Sequence, residues 1–96
     1  MEERFGVAAF RSRQHVTAFE QLLRRAGVPV SIVSTPRSIA LGCGLSVRFR
    51  LEDARRVQEI FRQSDVGNLI GFYQVRYGES GRAEAYPIGT DMGYRG

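Results

Sequence analysis

Leu45-Ser46-Val47-Arg48-Phe49-Arg50-Leu51 is the stretch that decides the fold. Leu45, Val47, Phe49 and Leu51 alternate with Ser46, Arg48 and Arg50. An apolar residue at every second position marks a β-strand with one face in a core and the other turned away from it. Just downstream, Asp53 caps a helix whose apolar stripe is Ala54, Val57, Ile60 and Phe61, with Arg55, Arg56, Glu59 and Arg62 outside. Leu69 to Tyr77 follows, rich in aromatic and β-branched residues, and reads as a strand. Upstream lies a long connection with one Pro and two Gly, Thr35-Pro-Arg-Ser-Ile-Ala-Leu-Gly-Cys-Gly44. Before it, Val28 to Val33 is β-branched and reads as a strand. Val16, Phe19, Leu22, Leu23 and Ala26 recur at helical spacing, with Ser12 as cap, Arg24 and Arg25 in the last turn, and Gly27 and Pro29 as the stop. The apolar run Phe5-Gly-Val-Ala-Ala-Phe10 is a first strand.

The order is βαββαβ. The fold class is α+β: a ferredoxin-like, open-faced sandwich with a four-stranded antiparallel sheet and two helices on one face. Right-handed crossovers place the third strand between the first and the second. The second sheet face is then uncovered, and Ser46, Arg48 and Arg50 lie on it. This domain takes residues 1–77. From Gly78 the pattern fades, and 78–96 reads as a flexible or partly packed C-terminal tail, held through Tyr86 and Ile88. The alternative is an added edge strand over Ala83 to Ile88.

The chain has 96 residues, 43% hydrophobic and 25% charged. These values fit one globular domain. No apolar run approaches the length of a membrane span. Met1-Glu2-Glu3-Arg4 lacks the pattern of a secretory signal. The single Cys makes no internal disulfide and, without partners, no structural zinc site. A cytoplasmic setting, with no metal and no cofactor, is the expectation. The formal net charge is +4, and all 14 basic residues are Arg. Arg presents a flat, permanently charged fork that suits oxyanions. The absence of Lys removes Schiff-base chemistry.

Cys43 is the one soft nucleophile, flanked by Gly42 and Gly44. Glycines on both sides remove steric cover, permit unusual backbone angles, and let N–H groups converge on an anion. The competing reading is a small buried hydrophobe. In the proposed topology the Thr35–Gly44 connection lies at the end of the sheet where the first helix begins. Cys43 then sits near Arg11, Ser12, Arg13 and His15. A helix N-terminus and guanidinium groups favour the ionised thiol. Thr35 and Arg37 can add donors. His15, the lone histidine, is a candidate proton partner for Cys43, or else an exposed first-turn residue.

Ser34-Thr-Pro-Arg37, then Ile39, then Cys43-Gly-Leu-Ser-Val-Arg-Phe49, with a helix ending in Leu23-Arg-Arg-Ala-Gly27, resembles the family DUF3343, labelled putative selenium/sulfur carrier protein-like. Its members are small bacterial and archaeal proteins. The resemblance covers roughly residues 5 to 75. It implies a carrier that holds a persulfide, or a selenium adduct, on Cys43 and relays it between a donor and an acceptor protein, without turnover of its own. In that role Arg37 stabilises the anion and His15 is the possible proton partner. Thr35, Pro36, Gly42, Gly44, Arg11 and Ser12 form the anion-binding loop surroundings. This chain departs from the family in having Ser38 and Ala40-Leu41 where an acidic residue and a Ser often stand.

Two other functions remain open. An RNA-binding module would use the open sheet face through Arg48, Arg50, Arg76, Tyr73 and Tyr77, although the RNP1-like pattern with central aromatics is absent. A protein-interaction module would use the sheet face or an edge strand to form a homodimer or to dock on an enzyme.

Overall fold

The computed structural model describes residues 4–39, 42–78 and 81–89. The elements are β1 (Arg4–Phe10), α1 (Arg13–Arg25), β2 (Val30–Ser34), β3 (Leu45–Phe49), a single 3₁₀ turn (Leu51–Asp53), α2 (Ala54–Arg62), β4 (Leu69–Tyr77) and β5 (Ala83–Pro87). The sheet order is β2-β3-β1-β4-β5, and every pairing is antiparallel. The βαββαβ core and the place of β3 between β1 and β2 follow the expected ferredoxin-like plan. The strand count differs: five strands, not four, because Ala83–Pro87 pairs with β4. The alternative edge strand is therefore the one the chain forms. Beyond it, the Ile88 N–H donates to the Phe72 carbonyl at 2.8 Å, and Gln58 Nε2 donates to the Gly89 carbonyl at 3.1 Å. Ile88 packs against the helix-side core, whereas Tyr86 lies exposed on β5 with Arg76 over its ring at 5.0 Å.

Local chemistry explains the helix boundaries. Ser12 caps α1, its side chain accepting the His15 N–H. At the other end Gly27 adopts φ +82°, Gly27 N–H bonds the Arg24 carbonyl, and Val28 N–H bonds the Leu23 carbonyl. That pair of bonds is the Schellman closure, which needs a left-handed residue and so favours glycine. Asp53 behaves differently from the expectation. It stands at the cap position of α2, but its carboxylate makes no cap bond and accepts from Arg50 Nε at 3.0 Å. The preceding 3₁₀ turn already aims the chain into α2, which leaves the carboxylate to Arg50. That hydrogen bond raises the Arg50 pKa above its ordinary value, and the charges of Asp53 and Glu52 add to the effect.

The helix-side core gathers Ala8, Phe10, Val16, Phe19, Leu23, Val47, Phe49, Val57 and Phe72. Its centre is aromatic: Phe61 meets Phe19 and Phe72 edge-on, at 5.6 and 5.8 Å between ring centroids. Gly6 faces Phe49 in register, and a Cβ there would fall 2.2 Å from the Phe49 ring. Glycine is required at that point so that the ring can lie on the strand.

The second sheet face is not open, which corrects the expectation of an uncovered sandwich. Phe5, Val7, Ala9 and Val75 form a second buried cluster, and Ile39 of the β2–β3 connection closes over it. Ser46, expected on a polar surface, is fully buried; its Oγ lies 2.7 Å from Thr35 Oγ1, which satisfies it. Arg48 is half-buried and lays its guanidinium 4.0 Å from the Phe5 ring centroid. Arg50 alone of the three stays exposed. Of the residues named for RNA, Arg50 and Tyr77 are exposed, and Arg48, Tyr73 and Arg76 are half-buried around the buried Phe5–Val7–Ala9 strip. Among the described residues, no helix is long and apolar enough to cross a membrane.

Candidate functional site

The β2–β3 connection is built as a strap with fixed ends. Thr35 N–H donates to the Gly44 carbonyl at 2.9 Å, which continues the β2–β3 ladder by one rung. The Pro36 carbonyl accepts the Ile39 N–H at 3.0 Å, closing a turn that drives Ile39 into the second cluster. Ala40 and Leu41, the apolar pair singled out in the sequence, lie outside the described residues. The chain then passes the end of β1. Gly42 adopts φ +117° and lies so close to β1 that a Cβ would stand 2.9 Å from the Phe10 carbonyl oxygen. Cys43 N–H donates to that same carbonyl at 3.1 Å. Gly44 turns at φ +91°, and β3 begins.

Both glycines around Cys43 thus have a backbone reason, and the thiol stands on a fixed, narrow corner. Cys43 is half-buried. It packs against the helix-side core, and its Sγ donates to the Leu45 carbonyl at 3.6 Å. The corner rests on Phe10, two residues before the Ser12 cap, so it adjoins the start of α1. The arrangement places the chain's single cysteine on a turn between β2 and β3 whose backbone is tied to β1.

The other candidates fall into two groups. Arg11 and Ser12 adjoin the corner through Phe10; Arg11 is exposed, with its N–H on the Asn68 carbonyl at 2.9 Å. His15 lies half-buried in the first turn of α1, its Nδ1 bonded to Ser12 Oγ, with Asn68 Nδ2 at 3.4 Å. Arg37 sits on the opposite arm of the strap. It is exposed and lines, with Ser38, Arg82, Glu84, Ala85 and Tyr86, an open depression of about 1330 Å³ against β5. Among the described residues, neither Arg37 nor His15 hydrogen-bonds to Cys43. Tyr86 belongs to that β5 depression.

Sequence reasoning missed Ile39 as the residue that anchors the strap. The signal was available in β1: Phe5-Gly-Val-Ala-Ala-Phe10 is apolar at every position, the pattern of a strand covered on both faces. Something had to cover the second face, and among the described residues of the strap Ile39 packs there.

A family model described as Putative Se/S carrier protein-like matches residues 5–70, from the start of β1 to the start of β4, and so includes the whole strap with Cys43. No curated protein and no solved structure matches the chain.

Proposed function

The chain belongs to the Putative Se/S carrier protein-like family, and from that premise we propose that Cys43 is the residue that carries the cargo. The observation supporting this reading is the corner itself: a half-buried cysteine held between two left-handed glycines, with its backbone tied to Phe10 beside the start of α1.

The step is a sulfur transfer without net oxidation. The Cys43 thiolate attacks the terminal sulfur of a donor persulfide, R–S–SH. A new S–S bond forms at Cys43, the donor's S–S bond breaks, and R–S⁻ leaves with the electron pair. Cys43 now bears Cys–S–SH, which an acceptor thiolate attacks in the same way. A donor selenium adduct follows the same course to Cys–S–SeH. Thr35, Pro36, Gly42 and Gly44 shape the strap. Arg11 and Ser12 lead from the Phe10 anchor into α1. Arg37, on the other arm, meets the incoming protein rather than the sulfur, and His15 steadies the helix start. Donor and acceptor are proteins.

Intact-mass spectrometry after incubation with glutathione persulfide tests the proposal. The expected result is one added sulfur on the wild type, lost on reduction with dithiothreitol, and none on Cys43→Ser. Equal sulfur uptake by Cys43→Ser, or none by a folded wild type, overturns it.

A further inference from the structure

We propose that the segment of residues 90–96, which lies outside the described residues, docks in an apolar groove between α2 and β4, with Met92 as the side chain that fills it. The groove is a depression of about 460 Å³ lined by Gln58, Phe61 and Arg62 of α2 and by Leu69 and Phe72 of β4. Phe61 and Leu69 are only half-buried. α2 is short, with nine residues against the thirteen of α1, and leaves this part of the helix side to be covered by something else.

The described residues end on the rim of this groove. The Ile88 N–H donates to the Phe72 carbonyl at 2.8 Å, and Ile88 packs against the helix-side core. One residue on, the Gly89 carbonyl accepts from Gln58 Nε2 at 3.1 Å. Gln58 is 4% exposed. A buried amide is not left unpaired, so this bond ties Gly89 to α2. Both partners, Phe72 and Gln58, line the groove. β5 runs antiparallel to β4, so the chain beyond Ile88 advances from Phe72 toward Leu69. Arg62 and Leu69 flank the far end, where α2 hands over to β4. The chain therefore leaves Gly89 along the groove.

The sequence suits the seat. In Ile88-Gly89-Thr90-Asp91-Met92-Gly93-Tyr94 the larger side chains alternate with Gly and Asp. Side chains two apart in an extended run share a face, which puts Met92 on the face of Ile88, the core side. The three residues from Gly89 to Met92 span at most roughly 10 Å. The stretch of β4 from Phe72 to Leu69 has about that length as well, roughly 10 Å. Methionine is unbranched, fits a shallow and irregular gap, and its sulfur makes favourable contacts with aromatic rings. Phe61 and Phe72 supply two such rings, 5.8 Å apart. Tyr94 lies two residues farther along, past the end of this stretch.

The tether selects the occupant. Thr90 and Asp91 alone separate Met92 from the anchored Gly89. So short a link holds a side chain at an effective concentration on the order of millimolar. A second copy or another protein has to displace it from there. The seat does not depend on the sulfur-carrier reading.

The test uses the full chain labelled with ¹³C at the methionine methyl groups. The sequence holds two methionines, Met1 and Met92, and Met92→Leu assigns their signals. The Met92 methyl is expected to be displaced from the position of free methionine by the Phe61 and Phe72 rings, and to show cross-relaxation to Leu69 and Phe72. Both features are expected to persist on dilution. Gln58→Leu removes the donor to Gly89 and keeps the helix volume, so it is expected to move the Met92 methyl toward the free position. Met92→Ser leaves every described contact in place and is expected to shift the amides of Phe61, Arg62 and Leu69, and not those of Val30–Ser34. Cys43→Ser is expected to leave the Met92 signal where it is, which separates this result from the fate of sulfur transfer. A Met92 methyl at the free position in the folded wild type leaves the groove to another protein and overturns the proposal. Contacts that fade on dilution give it to a second copy, and contacts made by Tyr94 in place of Met92 give it to a different side chain; either overturns the proposal as well.

Discussion

The Cys43 N–H donates to the carbonyl of Phe10 at 3.1 Å, and this one bond joins the strap between β2 and β3 to the last residue of β1. Phe10 is fully buried, so it is an anchor that does not move with the surface. The backbone of Cys43 is therefore tied to the central strand although it lies in a connection. A carrier benefits from that placement, because a partner meets the sulfur at a constant position.

The two glycines beside Cys43 are expected to differ in sensitivity. Gly42→Ala combines a left-handed backbone with a Cβ 2.9 Å from the Phe10 oxygen and 3.0 Å from Ile70 Cδ1. A loss of about 3 kcal/mol is expected, from backbone strain plus overpacking. Gly44→Ala meets nothing within 4 Å and has only its φ of +91° to overcome, a cost of about 1–2 kcal/mol. Urea denaturation of both variants checks the order. Equal losses would mean that the Gly42 contact with Phe10 is not a constraint.

Ser12 and His15 allow structure and chemistry to be separated. Ser12 caps α1 and also bonds the His15 ring. Ser12→Ala is expected to lower stability by about 1 kcal/mol, the usual cost of a lost cap. His15 is held by Ser12 and Asn68 rather than by the thiol. His15→Ala is therefore expected to slow sulfur loading of Cys43 less than about two-fold, against the roughly 10²–10⁴-fold of a lost general base. Stopped-flow loading rates with glutathione persulfide decide it. A large fall in rate at unchanged stability would make His15 the proton partner.

Much of this architecture was legible in the residues. The alternation of Leu45, Val47 and Phe49 announces β3, and the helical stripe Val16, Phe19, Leu23 announces α1. Chirality of the crossovers then orders the strands. β5 was nearly silent, because Ala83 and Ala85 are too small to raise an apolar alternation above the surrounding Gly and Glu. The role of Ser46 was hidden for a different reason. A serine that is buried with a hydroxyl partner looks, in sequence, the same as one facing water, and its partner Thr35 lies across a long connection. At the site, the place of Cys43 beside the start of α1 could be read from topology alone. The side on which Arg37 falls could not, since it depends on Ile39 pinning the strap to the second face.

Gly6 is expected to tolerate no side chain. Gly6→Ala puts a methyl group 2.2 Å from the Phe49 ring, which is itself packed edge-on against Phe72 at 6.4 Å. The ring has no free rotamer space, because Phe49 is 2% exposed. A destabilisation of about 3 kcal/mol or more follows from overpacking. The companion variant Gly27→Ala meets no atom within 4 Å, so only about 1–2 kcal/mol is expected from its left-handed φ. Thermal unfolding of the pair is the measurement, and a Gly6→Ala protein as stable as Gly27→Ala would contradict the packing described for Phe49.

Ile39 tests whether the strap is a structural cover or a loose loop. It is 8% exposed and closes over Phe5, Val7, Ala9 and Val75. Ile39→Ala is expected to cost about 2–5 kcal/mol, the range for deleting a large buried aliphatic, and Ile39→Val about 1 kcal/mol. The larger truncation also uncovers the second face, so binding of a hydrophobic dye such as ANS is expected to rise in the alanine variant and not in the valine one. Because Ile39 and Cys43 lie on the same strap, its release is expected to free the thiol as well: alkylation of Cys43 by iodoacetamide under native conditions should speed up in Ile39→Ala. If stability falls while the alkylation rate stays at the wild-type value, the Phe10 bond alone holds the cysteine corner, and the two ends of the strap act independently.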